Sequence, residues 1–179
     1  GALLACDNTF ATPVLQRPLA LGADAVMHST TKYFGGHSDV MGGALVFAKA
    51  NALFDAAAHR RHITGNIASP FNSWLILRGA RSMPARMAWH CANARRVAEF
   101  LAAQPSVAAV HYPGLVSHPG HETAKKQMRD FGGMVSFTLR GGVKWHDGRD
   151  FTSADVAFSA LELWRKLQKI AMARDFSWA

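Results

Sequence analysis

Apolar and polar positions divide the first part of the chain into short blocks. Leu3-Leu4-Ala5-Cys6 is an apolar run that ends in polar Asp7-Asn8-Thr9, the pattern of a buried strand closing in a turn. From Pro13 to Leu21, Val14, Leu15, Leu19 and Leu21 recur at helical spacing, and Gly22 supplies a C-terminal stop. Ala25-Val26-Met27-His28 predicts a second strand, with Ser29 to Lys32 at its end. Strand, helix and strand in this order predict a β-α-β unit with parallel pairing and a right-handed crossover. Downstream, Asn51 to Arg61 predicts a helix. A longer helical region runs from Ser73 to Ala103, with Leu77, Met87, Cys91, Ala94, Val97 and Leu101 on its inner face. Pro84 should kink or restart it. Val107 to Tyr112 and Gly133 to Leu139 predict strands, and Thr123 to Met128 a short helix between them.

In open α/β sheets, ligands sit beyond the carboxyl ends of the strands. Asp7 and Lys32 both fall at such ends, so they are expected to face one pocket. A primary amine and a carboxylate in one pocket suit pyridoxal phosphate (PLP), which needs a Schiff-base lysine and an acid partner for its pyridine nitrogen. Ser29 and Thr31 alternate with Thr30, so their hydroxyls are expected to point one way, toward a phosphate. Lys32, once released, would serve as a general acid and base. Spacing alone leaves other readings open. Most lysines are solvated surface groups, and an aspartate ending a strand is often a turn or cap residue.

The wording of the sequence narrows them. Asp7-Asn8-Thr9-Phe10-Ala11-Thr12-Pro13, His28-Ser29-Thr30-Thr31-Lys32-Tyr33 and Gly35-Gly36-His37-Ser38-Asp39 follow one another in order. Leu77-Arg78-Gly79, Tyr112-Pro113-Gly114-Leu115 and Phe131-Gly132-Gly133-Met134-Val135-Ser136-Phe137 come after them. Residues 1 to about 141 thus resemble the Cys/Met-metabolism PLP-dependent enzymes, the cystathionine γ-synthase and γ-lyase family. The resemblance implies an α/β fold, part of the fold-type I PLP-dependent transferase architecture. In that division, residues 1–83 belong to a large cofactor domain, and 84–141 to a linking helix and a partial small domain. It implies Lys32 as the Schiff-base lysine, Asp7 as the pyridinium partner, and Ser29 and Thr31 as phosphate-binding hydroxyls. It also implies an amino-acid substrate of transsulfuration chemistry, a cytoplasmic location and homotetramers built from dimers. The family's Gly-containing phosphate loop, ring-stacking tyrosine and substrate-carboxylate arginine have no match in this sequence.

After Gly141 the wording changes. Gly142-Val143-Lys144-Trp145-His146-Asp147-Gly148 and Phe151-Thr152-Ser153-Ala154-Asp155-Val156 resemble a peptide/nickel ABC-transporter solute-binding protein. Thr152 and Asp155 form a helix-start pattern, and Val156, Ala160, Leu163, Leu167 and Ile170 continue at helical spacing. Residues 142–179 therefore read as a foreign strand-turn-helix tail on a hybrid reading frame. Two further readings follow: a solute-binding fragment, and a non-catalytic hybrid whose open sheet edges promote aggregation.

Composition changes little in this picture. The 179 residues are 49% hydrophobic and 18% charged, a globular balance. The formal charge is +8, but Arg60-Arg61, Arg78, Arg81, Arg86 and Arg95-Arg96 are spread along candidate helices without a nucleic-acid motif. They read as a solvated, anion-attracting face. Cys6 and Cys91, in apolar surroundings, read as buried reduced thiols. His146-Asp147 lacks a third metal ligand, and His59, His62, His111, His118 and His121 lack metal spacing, so no metal is expected. No apolar run is long enough to span a bilayer.

Overall fold

The computed structural model describes residues 2–142 together with 144, 148 and 149. The chain divides into two compact units, Gly1–Thr138 and Leu139–Ala179. The expected tail helix lies outside the described residues.

Strand β1 (Ala5–Asp7) pairs in parallel with β2 (Ala25–Ser29), with Asp7 opposite Met27. The expected β-α-β order is present, but its crossover is not one helix. Helix α1 is a single turn, Thr12–Leu15, and a separate 3-10 turn covers Pro18–Leu21. Pro18 explains the break. It has no N–H for the helical ladder, and it holds Arg17 out of the helical region at φ −125° and ψ 81°. Gly22 ends the turn in the left-handed region at φ 99°, as its position predicted.

A third strand, β3 (Gly43–Phe47), pairs antiparallel with β2, from Ala25 opposite Phe47 to Ser29 opposite Gly43. The sheet order is β1-β2-β3. Gly43 to Phe47 is apolar after its first residue, and the strand lies outside the elements that the apolar pattern predicts. β2 is thus the central strand, and the buried Ala25, Val26 and His28 lie on it.

Helix α2 (Ala52–Thr64) starts where expected, with Asn51 Oδ1 accepting from the N–H groups of Leu53 and Phe54 at 3.1 and 3.2 Å. None of its residues is buried. Helix α3 runs unbroken over Pro70–Ala102 and continues through Pro84. Its start lies earlier than expected, at the Ser69 cap, whose Oγ accepts from Asn72 N at 3.1 Å, with Pro70 next to it. The buried stripe is Leu75, Gly79, Met83, Met87, Cys91, Ala94 and Ala98. Met87, Cys91 and Ala94 match the expected inner face. Leu77 and Val97 do not, being 54% and 46% exposed.

Two apolar clusters share this stripe. Met83, Met87 and Cys91 pack with Leu15, against Val14, Tyr33, Phe34 and Met128. Ala94 and Ala98 pack with Tyr112, against Val110, Leu115, Phe131 and Val135. Strands β4 (Val107–His111) and β5 (Ser136–Leu139) form a two-stranded sheet, and α4 (His121–Gln127) lies between them in sequence.

Candidate cofactor site

Asp7 closes β1, and Ser29 closes the adjacent parallel strand β2. Both strands therefore end at the same edge, and one residue ties the two ends together. Thr9 N donates to Asp7 Oδ1 at 2.9 Å, and the Thr9 hydroxyl also hydrogen-bonds the carboxylate. The same Thr9 Oγ1 accepts from Ser29 N at 2.8 Å. Asn8 N donates to Met27 O at 2.9 Å, which continues the strand pairing by one residue. The side-chain and backbone hydrogen bonds from Thr9 hold the Asp7 carboxyl below its ordinary value, with a smaller contribution from His28. Asp7 is exposed and ionised near neutral pH.

His28 lies under this edge. It is 4% exposed, and its ring meets Phe34 edge-on at 5.0 Å. Burial pushes its pKa down, partly opposed by Asp7 and the Asn8 backbone. Its Nδ1 has no hydrogen-bond partner, and neither do the buried Asn8 Oδ1 and Thr30 Oγ1.

Beyond Ser29 the chain enters a wide helical turn, Thr30–Phe34, with a kink at Lys32 (φ −87°, ψ −119°). Thr30 points inward and Lys32 outward. Thr30 N donates to Gly42 O at 2.9 Å. The Thr31 hydroxyl accepts from Gly42 N at 3.0 Å and donates to Gly42 O at 3.3 Å. The Thr31 hydroxyl is thus engaged by the segment entering β3, while Ser29 keeps a half-buried position at the strand end. Gly35 N and Gly36 N close the turn onto Thr30 O and Lys32 O at 2.9 and 2.8 Å.

Two features here were not singled out from the sequence. Thr12, fully buried after the Asp7-Asn8-Thr9 turn, has φ 60°. A β-branched residue in that region carries on the order of 1–3 kcal/mol of strain. Tyr33, next to Lys32, packs its ring against Phe10 at 6.4 Å and His90 at 5.1 Å. Burial raises its pKa and lowers that of His90. The aromatic residue following Lys32 was the available signal for a packed turn.

An exposed amine, an ionised carboxylate with a fixed rotamer, and a strand-end hydroxyl form a donor set that fits PLP. A family model described as Cys/Met metabolism PLP-dependent enzyme matches residues 1–165. This chain belongs to that family. It is 58% identical over 136 residues to a cystathionine gamma-synthase of Mycobacterium leprae, covering 76% of this chain and 35% of that protein. It is 54% identical over 139 residues to a cystathionine beta-lyase of Lactococcus lactis subsp. cremoris, covering 78% and 36%. Among solved structures, metB from Corynebacterium glutamicum superposes with a TM-score of 0.75 at 51% identity, covering 79% of this chain and 36% of that one. The fold is therefore part of the α/β architecture of these PLP enzymes. The chain spans little more than a third of the length of the curated relatives it matches. The family match also runs past residue 141, where the resemblance in wording ends.

Among the described residues no group of three or more His, Cys, Asp and Glu side chains forms a metal site. His121 Nδ1 lies 2.7 Å from Pro113 O, and His118 Nδ1 accepts from Gly120 N at 3.0 Å, so these histidines serve turns. Cys6 and Cys91 are free thiols; Cys91 is buried as expected, whereas Cys6, on the short first strand, is only half-buried. No described helix is long and apolar enough to cross a membrane.

Proposed function

We propose that this chain carries the lysine-bearing portion of a PLP-dependent lyase or transferase of sulfur amino-acid metabolism, of the cystathionine γ-synthase or γ-lyase type. One observation carries the reading: a Thr9-held ionised carboxylate and the Lys32 turn stand at the carboxyl ends of two adjacent parallel strands. When bound, PLP supplies an electron sink for the carbanion of an amino-acid substrate. Asp7, kept ionised by Thr9, holds a proton on the ring nitrogen. Lys32 Nζ would hold the cofactor, and as a free amine it would move protons at the substrate's α-carbon. Ser29 supplies a hydroxyl to the phosphate. Thr31 joins it by turning its hydroxyl proton from Gly42 O, a 3.3 Å bond that is the weaker of its two.

Cystathionine, acylated homoserines, homocysteine and methionine make up the substrate class of this reading, in the cytoplasm. Relatives named cystathionine gamma-synthase, cystathionine beta-lyase and L-methionine gamma-lyase support cystathionine and methionine within it. Residues 1–83 form the cofactor portion in this reading, and 84–141 the link and small-domain portion. Homotetramers are the expected assembly. Phe71, Trp74 and Leu77, each more than half exposed on α3, offer apolar surface for it.

The test is an absorbance spectrum of the purified chain with PLP, followed by borohydride reduction and mass mapping. A visible band with the reduced adduct on Lys32, absent in Lys32→Ala, is the expected result. No band, or adducts scattered over surface lysines, would defeat the reading.

The wording of residues 142–159 supports a second element of the proposal, a solute-binding-protein-like tail joined to the family chain. The family match to residue 165 opposes it. Sequencing source DNA across codons 135 to 150 decides between them, because an unbroken family reading frame there removes the tail proposal.

A further inference from the structure

Lys32 projects from its turn into solvent, so the turn's backbone decides where the amine stands. That backbone rests on α3 by two contacts. The first is at Gly79, where a Cβ would run into the carbonyls of Phe34 and Gly35. Helix and turn touch backbone to backbone there. The second is Arg86, seven residues further along the helix. Its Nη2 donates to Tyr33 O at 2.8 Å and to Gly79 O at 2.7 Å. Its Nε donates to Ser82 Oγ at 3.0 Å, and Ser82 Oγ donates in turn to Gly79 O at 3.1 Å. Gly36, at φ 73°, leaves room for the guanidinium, since a Cβ there would overlap it. The cation thus grips the carbonyl of the residue after Lys32, at the point where Gly36 N closes onto Lys32 O.

A fully surface-directed arginine has no reason to take this position. Burial costs Arg86 some of its preference for the charged form, and among the described residues no carboxylate pairs with it. Its three bonds go to neutral oxygens, and Nη1 is buried without a hydrogen-bond partner. The planar fork reaches the turn carbonyl, the helix carbonyl and the serine at once. An ammonium on a flexible stem would reach one or two of them.

We infer that Arg86 is a positioning residue for the cofactor lysine: its guanidinium locks the Tyr33 carbonyl onto α3 and so sets the direction in which Lys32 presents its amine. This rests on the cofactor role proposed for Lys32. Arg86 touches neither substrate nor cofactor in this assignment, and it acts through the turn.

The test compares wild type with Arg86→Lys, which keeps the charge, and Ser82→Ala, which removes only the brace on Nε. Two readouts are taken on the full chain. Amide hydrogen exchange without cofactor follows the Gly35 and Gly36 amides against those of residues 90–100. Borohydride trapping with PLP follows the yield at Lys32. In Arg86→Lys, exchange at Gly35 and Gly36 should rise while residues 90–100 stay protected, and Lys32 trapping should fall about tenfold or more. Ser82→Ala should move both in the same direction by less. Wild-type exchange and wild-type trapping in Arg86→Lys would overturn the inference. So would a uniform rise in exchange along α3, because that would mark a general packing role. If wild type itself traps no PLP on Lys32, the cofactor reading fails, and the exchange arm still reports whether Arg86 holds the turn.

Discussion

In its first half, α3 meets the Lys32 turn without a side chain of its own at Gly79 and with a guanidinium at Arg86, while Phe71, Trp74 and Leu77 face outward. In its second half the same helix turns Ala94 and Ala98 to Tyr112, which is fully buried. Tyr112 meets Phe131 edge-on at 6.5 Å, and Phe131 stacks on His121 at 5.3 Å. At the Lys32 turn the helix thus adds polar and backbone contact to the packing of Met83, Met87 and Cys91, while further along aromatic packing is joined by the exposed Arg95–Asp130 ion pair. The difference has a physical cause. Hydrogen bonds are directional and fix a backbone carbonyl to within tenths of an ångström, which a lysine-bearing turn requires. Apolar packing is non-directional and stabilises more per residue.

The comparison breaks most readily at Tyr112. Tyr112→Ala should destabilise the chain by about 3–5 kcal/mol through the lost ring and the cavity left behind. It also removes the 3.3 Å bond from Tyr112 Oη to Gly132 O. Denaturant unfolding measures the loss. Amide exchange at Gly35 and Gly36, scaled for global stability, should not change more than elsewhere. A selective change at the turn would mean that the two halves are one unit.

Gly79→Ala should act in the opposite place. The added methyl gains roughly 0.8–1 kcal/mol of helix propensity but meets two carbonyls, and overpacking costs about 1–3 kcal/mol. A net loss of stability smaller than that of Tyr112→Ala is expected, together with loss of Lys32 trapping. Retained trapping would show that the turn can lift from the helix without moving the amine.

The smallest effects are in pH dependence, where the buried histidines and the buried tyrosines act with opposite sign. His28 and His90, on either side of the turn, have pKa values pushed below 6.5, chiefly by burial. Unfolding lets them take up protons, so stability should be complete above pH 6.5 and should decline as pH falls below it. Tyr112 is the reverse case. Burial first, then Asp130 and Cys91, raises its pKa from 10.0 to about 12. Its contribution is complete below pH 10 and is lost as pH rises toward about 12. Tyr33 is raised as well and shares that limb. Unfolding curves across pH should therefore lose part of the alkaline decline in Tyr112→Phe and part of the acid decline in His28→Gln. An unchanged alkaline limb in Tyr112→Phe would assign it to Tyr33 and Cys91, both raised by burial.

Much of this was legible residue by residue. Asp7 and Ser29 end strands because short apolar runs give way there to turn-forming polar residues, and the parallel pairing puts both ends at one edge. Asn51 caps α2 and Gly22 stops its turn through interactions spanning four residues or fewer. The Ser69-Pro70 start of α3 was equally local and was passed over. Such signals act within one turn of chain, so the sequence by itself determined them. The buried face of α3 is different. Apolar spacing favoured Leu77 and Val97, yet the stripe follows Gly79, Met83, Met87, Cys91, Ala94 and Ala98. Hydrophobicity ranks side chains, but here the closest neighbour was a backbone, and only a residue without a side chain admits it. Arg86 reads as a solvated helix cation until the Tyr33 carbonyl arrives beside it from 53 residues away. Tertiary structure alone decided these two assignments, because each depends on how near a distant segment comes, which no local pattern encodes.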